Sequence, residues 1–126
     1  MKLNTIIEQL EMLAPLSYAE DFDNVGLLTG NSEQEINGIL VCHDVLENVL
    51  NEAIEKKCNL IVCFHPIIFS GLKKITGKTY VERVVIKAIK NDIAIYALHT
   101  ALDNHQNGVN KIICNQLGLK NTKILI

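Results

Sequence analysis

Three short apolar runs, rich in β-branched residues, alternate with amphipathic stretches from residue 38 onward. The runs are ILVCH (39–43), LIVCF (60–64) and IAIYAL (93–98). Runs that are apolar at successive positions are typical of strands buried on both faces of a sheet. We therefore predict three strands here, and their spacing favours parallel pairing through helical crossovers.

The stretches beside these runs have apolar residues at helical spacing. We predict a first helix that Asn4 caps and Pro15 ends, a helix that Thr79 opens, and a last helix that Gly118 ends. The apolar faces of the three helices after residue 43 are Leu46, Val49, Leu50, Ala53 and Ile54; Val81, Val84, Val85, Ala88 and Ile89; and Val109, Ile112, Ile113 and Leu117. The pattern predicts one α/β domain over residues 1–126, with a mainly parallel sheet and helices on both faces.

Composition narrows the class of protein. Of the 126 residues, 48% are apolar and 21% are charged, which is enough apolar material for a core. The formal net charge of −2 favours neither nucleic acid nor an anionic membrane as a partner. The sequence has neither an apolar stretch of membrane length nor the pattern of a signal peptide, so we predict a cytoplasmic protein.

The three strands are predicted to end in the same kind of residue. His43-Asp44 follows the first, His65-Pro66 the second, and His99 with Asp103 the third. In an open parallel sheet, ligands bind outside the carboxyl ends of the strands. Imidazole and carboxylate together suit a divalent ion such as zinc, iron, manganese or nickel. We therefore predict a metal site of His65, His99 and Asp103, with Asp44 nearby.

Other interpretations of these residues remain open. A single histidine after a strand is more often a surface residue than a ligand, and Asp44 could cap the helix that follows it. Cys42 and Cys63 each stand two residues before a candidate ligand, so a thiolate ligand is an alternative. Buried free thiols are the more ordinary interpretation of the four cysteines, which are Cys42, Cys58, Cys63 and Cys114.

The segment from Pro66 to Lys78 is long for a connection between a strand and a helix, and loops of this length are often functional. It contains Lys73 and Lys74 beside glycines, so these lysines could bind a phosphate group at the metal edge. A solvated lysine loop is the alternative, since no Walker pattern is present.

Five segments occur together in an order that resembles a known family. They are DNVGLLTG (23–30), CHDV (42–45), HPIIFSGLKKITG (65–77), IAIYALHTALDN (93–104) and GVN (108–110). In combination they resemble the Nif-three-like dinuclear metal-centre proteins, also called GTP cyclohydrolase I type 2 homologues. The resemblance covers nearly the whole chain.

The resemblance implies an α/β subunit of a ring-shaped hexamer with two metal ions at the strand edge. His65 matches the second histidine of the family's His-His-Pro motif, and His99 and Asp103 match its His-Thr-x-Leu-Asp motif. Members of the family add a histidine and a glutamate from near the end of a chain roughly twice as long. Some members open the imidazole ring of GTP by metal-dependent hydrolysis.

The sequence departs from this pattern in three places. Phe64 stands where the first histidine of the pair belongs, Leu46 replaces a usual threonine, and the second half with its two ligands is absent. An apolar ring cannot bind a metal ion, so at most three protein ligands remain, which suffices for one open-site ion. We therefore expect weak or partial metal occupancy, and we assign no catalytic residue.

Three functions are consistent with these observations. The first is a metal-dependent hydrolase acting on GTP or a related nucleotide, with a degraded metal site. The second is a non-catalytic oligomeric assembly or binding module of the same fold, and the third is a nucleotide or phosphate binder without chemistry. The apolar run at 123–126 predicts a further strand, and it leads us to expect a longer polypeptide and self-association into a homo-oligomer.

Overall fold

A four-stranded sheet lies at the centre of the computed structural model, which describes residues 1–123. Its strands are β1 (Gly26–Thr29), β2 (Ile39–Cys42), β3 (Leu60–Cys63) and β4 (Ala94–Ala97), in the spatial order β1-β4-β3-β2. β2, β3 and β4 are parallel, whereas β1 pairs with β4 in the antiparallel sense. The three predicted strands are confirmed, each inside its predicted run, and the sheet is mainly parallel.

Four helices lie where the apolar spacing predicts them, and a fifth, short helix after the last strand was not predicted. They are α1 (Leu3–Leu13), α2 (Glu47–Glu55), α3 (Tyr80–Lys90), α4 (His99–Asp103) and α5 (Val109–Gln116), with a short 3-10 helix at Leu16–Tyr18. The predicted cap of α3 is confirmed, because Thr79 Oγ1 accepts a hydrogen bond from the Glu82 N–H at 3.2 Å. The predicted cap of α1 is wrong: α1 begins at Leu3 with Lys2 as its N-cap, so Asn4 lies inside the helix.

The hydrophobic core has two parts, one on each face of the sheet. On one face, Ile61 and Ile95 pack against the helices α2 and α3 through Leu50 and Val84. The other face carries a second buried cluster around α1 and α4, which is Leu3, Ala14, Ile36, Leu60, Val62, Ala94, Tyr96, Leu98 and Ala101. This confirms helices on both faces, and it explains why β3 and β4 are apolar at every position.

Within residues 1–123, the edge strand β2 is covered on one face only. Leu40 and Cys42 pack against the α2 and α3 face, whereas Ile39 and Val41 are 46% and 76% exposed. Because alternate residues of a strand point to opposite faces, the α1 side of β2 is an apolar surface open to solvent.

Two further findings concern membrane-spanning helices and the strand predicted at 123–126. None of the helices within residues 1–123 combines the length and apolar character needed to cross a lipid bilayer. The strand predicted at 123–126 extends into residues 124–126, which lie outside the described part of the chain.

Candidate metal centre

Backbone pairing beyond the strand ends places three histidines at one edge of the sheet. The His65 N–H donates to the His43 carbonyl at 3.0 Å, and the His99 N–H donates to the Phe64 carbonyl at 3.0 Å. The parallel register of β2, β3 and β4 therefore continues into the segments that carry the histidines. This is the geometry that the repeated strand endings predict.

The Asp44 carboxylate bridges two of these histidines. Its Oδ1 lies 2.7 Å from Nδ1 of His65, and its Oδ2 lies 3.0 Å from Nδ1 of His43. Hydrogen bonds from His43, which has the larger effect, and from His65 lower the pKa of Asp44. The Asp44 carboxylate is therefore ionised at neutral pH. His43, Asp44 and His65 each offer a ligand atom within 4.8 Å of the others, which is close enough to share one ion.

A second carboxylate, Asp23, holds the third histidine. Nδ1 of His99 lies 2.8 Å from both Asp23 oxygens, and the Asp23 side chain is fully buried. Burial alone would raise the pKa of Asp23, but hydrogen bonds from Thr100 and His99 outweigh it and leave the pKa lowered. A buried carboxylate is thus ionised beside an imidazole at the metal edge.

Phe64 lies among the three imidazoles. Its ring centroid is 5.2 Å from that of His43, 5.1 Å from that of His65 and 5.5 Å from that of His99. The half-buried phenyl ring therefore lies between the candidate ligands, and it cannot coordinate an ion.

The residues predicted as ligands are only partly brought together. The ring centroids of His65 and His99 are 5.3 Å apart, and Asp44 lies beside His65. Asp44 does not cap α2, whose N-cap is Leu46, so the capping interpretation is wrong. Asp103 ends α4, one helical turn after His99, and is not part of the three-residue cluster around Asp44.

Two contributors to the site were missed in the sequence. His43 follows the first of the three strands but is not among the predicted ligands, although Asp44 joins it to His65. Asp23 comes from a polar stretch that precedes β1, so no strand ending marked it. The available signal was its place at the start of the DNVG segment.

Cys63 is better described as a buried thiol than as a ligand, and the other three cysteines are partly buried. Burial raises the pKa of Cys63 to about 12 and that of Cys42 to about 11, and Cys63 Sγ donates to the Tyr96 carbonyl at 3.4 Å. A metal ion binds the thiolate rather than the thiol. All four cysteines are free.

The long loop after β3 lines an open cleft of roughly 870 Å³. Pro66, which follows His65, lies at this cleft together with Phe69, Lys73 and Lys74. Glu82 of α3 ties down the end of the loop, accepting hydrogen bonds from the N–H and hydroxyl of Thr76 and from the Lys78 N–H. These hydrogen bonds lower the pKa of Glu82 to about 2, and the bond from the Thr76 N–H has the largest effect.

The donor set fits a divalent transition-metal ion. Imidazole nitrogens and carboxylate oxygens are common ligands of zinc, iron, manganese and nickel. Each imidazole here already has its Nδ1 beside a carboxylate oxygen, which is the usual support of a metal-ligating histidine. The site is open to solvent, since His43 and Asp44 are exposed.

The chain is similar to known proteins both in sequence and in structure. The chain is 41% identical over 125 residues to a GTP cyclohydrolase 1 type 2 homolog of Clostridium acetobutylicum, covering 99% of this chain and 47% of that protein. It is 43% identical over 124 residues to NIF3-like protein 1 of Rattus norvegicus, covering 98% of this chain and 33% of that protein. Among solved structures, a Bacillus cereus protein related to NIF3 superposes with a TM-score of 0.92 at 38% identity, over 100% of this chain and 35% of the other.

The chain thus spans between a third and a half of the length of these relatives. The family model described as Duf34/NIF3 (NGG1p interacting factor 3) matches residues 1–126. With a family match over the full sequence and a fold shared with a NIF3-related protein, the chain belongs to the Duf34/NIF3 family.

Proposed function

We propose that this chain binds one divalent transition-metal ion at the carboxyl edge of its sheet, through His65 with contributions from its neighbours. The observation that carries the proposal is the cluster of His43, Asp44 and His65, whose ligand atoms lie within 4.8 Å of one another. His99, with its ring 5.3 Å from that of His65, and Asp103, one turn further along α4, are the other candidate ligands.

We propose further that the site is the degraded site of a metal-dependent hydrolase acting on GTP or a related nucleotide, in which Phe64 replaces one ligand. When bound, a divalent ion at such a site supplies activation of water for hydrolysis. Lys73 and Lys74 line the cleft that begins next to His65, where their charges suit the phosphates of a nucleotide. The relatives named GTP cyclohydrolase 1 type 2 homolog support this substrate class.

Metal uptake by the purified chain tests the first step. We expect binding of zinc or manganese in isothermal titration calorimetry, reduced in His65→Ala. The matched control is His105→Ala, which removes a histidine outside the cluster, one that stacks on Tyr18 with ring centroids 6.0 Å apart. Equal affinity of wild type, His65→Ala and His105→Ala would contradict the metal site.

The second candidate function is a non-catalytic assembly or binding module. Phe64 favours it, because an apolar ring lies where a ligand would complete the site. The exposed side chains of Ile39 and Val41 on β2 support self-association into a homo-oligomer, of which a hexamer is one form. A chain that assembles but takes up neither metal nor GTP would favour this function over the hydrolase.

The cytoplasm is the compartment we propose. The four free cysteines suit a reducing environment, in which thiols are not driven into disulfides.

A further inference from the structure

We propose that Asp23 is a positioning residue for His99: it fixes the proton of this imidazole on Nδ1 and leaves Nε2 as the nitrogen that meets a ligand. The inference rests on the proposed metal-binding function for its purpose. Its geometry, however, belongs to the metal-free chain and can be tested there.

The contact between the two side chains determines where the proton lies. Nδ1 of His99 is 2.8 Å from both Asp23 oxygens, and an ionised carboxylate can only accept hydrogen bonds. The Asp23 side chain is fully buried and that of His99 is 19% exposed, so water competes little for this contact. Nδ1 must therefore donate, and in the neutral imidazole Nε2 carries the free lone pair.

The other contacts of Asp23 make it a poor ligand itself. Its Oδ1 also accepts from the Asn24 N–H at 2.8 Å. Its Oδ2 accepts from the Thr100 N–H at 3.1 Å and from the Thr100 hydroxyl at 2.5 Å. With five contacts on two buried oxygens, the acceptor capacity of the carboxylate is used up. Asp23 thus acts on an ion only through His99.

The backbone at His99 gives a second sign that this residue is held in place. Its φ is +27°, in a region that residues other than glycine rarely adopt. Such conformations persist where the surrounding contacts enforce them, and they are concentrated at functional sites. Here the contacts are the bonds from the His99 side chain and from Thr100 to Asp23, and the His99 N–H bond to the Phe64 carbonyl.

The segment that carries Asp23 is itself anchored to α4. The Glu20 N–H donates to Thr100 Oγ1 at 3.0 Å, and Asn104 Nδ2 donates to the Tyr18 carbonyl at 2.8 Å. These bonds join residues about 80 positions apart, so the carboxylate is placed by the fold rather than by its own loop. A rigidly placed carboxylate is what positioning an imidazole requires.

Long-range ¹H–¹⁵N NMR spectra of the imidazoles in the metal-free chain test the proposal. We expect the wild-type His99 spectrum of the Nδ1–H tautomer, with an unprotonated Nε2. Asp23→Asn should populate the other tautomer, and it should weaken zinc binding by roughly 10- to 100-fold, the usual effect of losing such a partner.

Thr100→Val is the matched control. It removes the other side-chain donor to Asp23 and the acceptor of the Glu20 N–H, but it leaves the contact between Asp23 and His99. We expect it to lower stability while His99 keeps its Nδ1–H tautomer. If Thr100→Val loses the Nδ1–H tautomer and the zinc affinity to the same extent as Asp23→Asn, then Asp23 has only a structural role and the proposal is overturned.

The remaining outcomes are also decisive. A wild-type His99 that carries its proton on Nε2 overturns the proposal, and this measurement needs no variant, so it holds even if Asp23→Asn does not fold. A wild-type Nδ1–H tautomer that is lost in Asp23→Asn, in a chain that takes up no zinc, supports the positioning and rejects the proposed metal binding instead.

Discussion

Asp44 accepts a hydrogen bond at 2.7 Å from Nδ1 of His65, across the ends of two adjacent parallel strands. Because Asp44 follows β2 and His65 follows β3, this contact depends on the strand register rather than on any local sequence. It leaves Nε2 of His65 without a partner in the Asp44 contact, on an exposed edge where an ion can approach. Metal binding at this edge of the sheet should therefore be sensitive to the substitution of single side chains.

The Glu82 carboxylate is expected to make stability depend on acid pH. Its folded-state pKa is about 2, below the ordinary value of 4.5. A lowered carboxyl pKa contributes stability that is fully present above pH 4.5 and is lost as the pH falls through about 2. Chemical denaturation between pH 7 and pH 2 should show this loss, and Glu82→Gln should be less stable than wild type at pH 7 with a weaker pH dependence in that window.

The control for Glu82 is Glu8→Gln, which neutralises an exposed glutamate on α1. It should retain the acid dependence of the wild type. A Glu82→Gln curve parallel to that of wild type from pH 5 to pH 2 would contradict the assignment of the stabilising bonds to this carboxylate.

Tyr96→Phe is expected to be neutral or stabilising. The Tyr96 hydroxyl is buried and has no hydrogen-bond partner among the described residues. Removing an unsatisfied buried polar atom recovers its desolvation penalty, about 1 kcal/mol or more. Thermal unfolding of Tyr96→Phe beside wild type measures this, with Tyr80→Phe, at an exposed tyrosine, as the control. A clear drop in melting temperature for Tyr96→Phe alone would mean that the hydroxyl has a partner, such as a buried water.

The sequence predicted the framework of the site better than its contacts. Apolar runs locate β2, β3 and β4. Burial on both faces explains why β3 and β4 are apolar at every position, whereas β2 is an apolar run with one face exposed. The same runs place His43, His65 and His99 at one edge, since parallel strands share their carboxyl ends. How the imidazoles pair with carboxylates depends on register and loop packing, so Asp23 and the bridging role of Asp44 were not predictable from local pattern.

Lys73→Ala combined with Lys74→Ala is expected to weaken GTP binding without changing metal uptake. Both lysines are exposed in the cleft beside the metal edge, so each contributes about 1 kcal/mol or less, equivalent to about fivefold. Titration of metal-loaded protein with GTP measures the effect. The control removes two other exposed or half-buried lysines, by Lys111→Ala with Lys120→Ala. Equal losses in both double variants would point to net charge rather than to a phosphate site.

Self-association is expected to depend on the edge strand β2. Val41 is 76% exposed on an apolar strand whose outer edge has no neighbour in the sheet among residues 1–123. A charge at this position should oppose edge-to-edge contact, so Val41→Lys should shift the mass from light scattering towards the monomer. Thr5→Lys adds the same charge on α1 as a control. A wild-type protein that is monomeric at every accessible concentration would contradict self-association.

Phe64→His is expected to raise the retention of zinc or manganese. The ring of Phe64 lies 5.1 to 5.5 Å from those of His43, His65 and His99, so an imidazole there adds a donor among the existing ones. Affinity depends on ligand number and geometry, and a gain of about tenfold corresponds to ~1.4 kcal/mol. Phe64→Leu, which removes the ring without adding a donor, separates this gain from simple relief of crowding. We expect at most one ion per wild-type chain, and little GTP hydrolysis, because Phe64 leaves the ligand set short. Two ions per wild-type chain after dialysis against a chelator, or unchanged metal content in Phe64→His, would show that Phe64 does not stand in for a lost ligand.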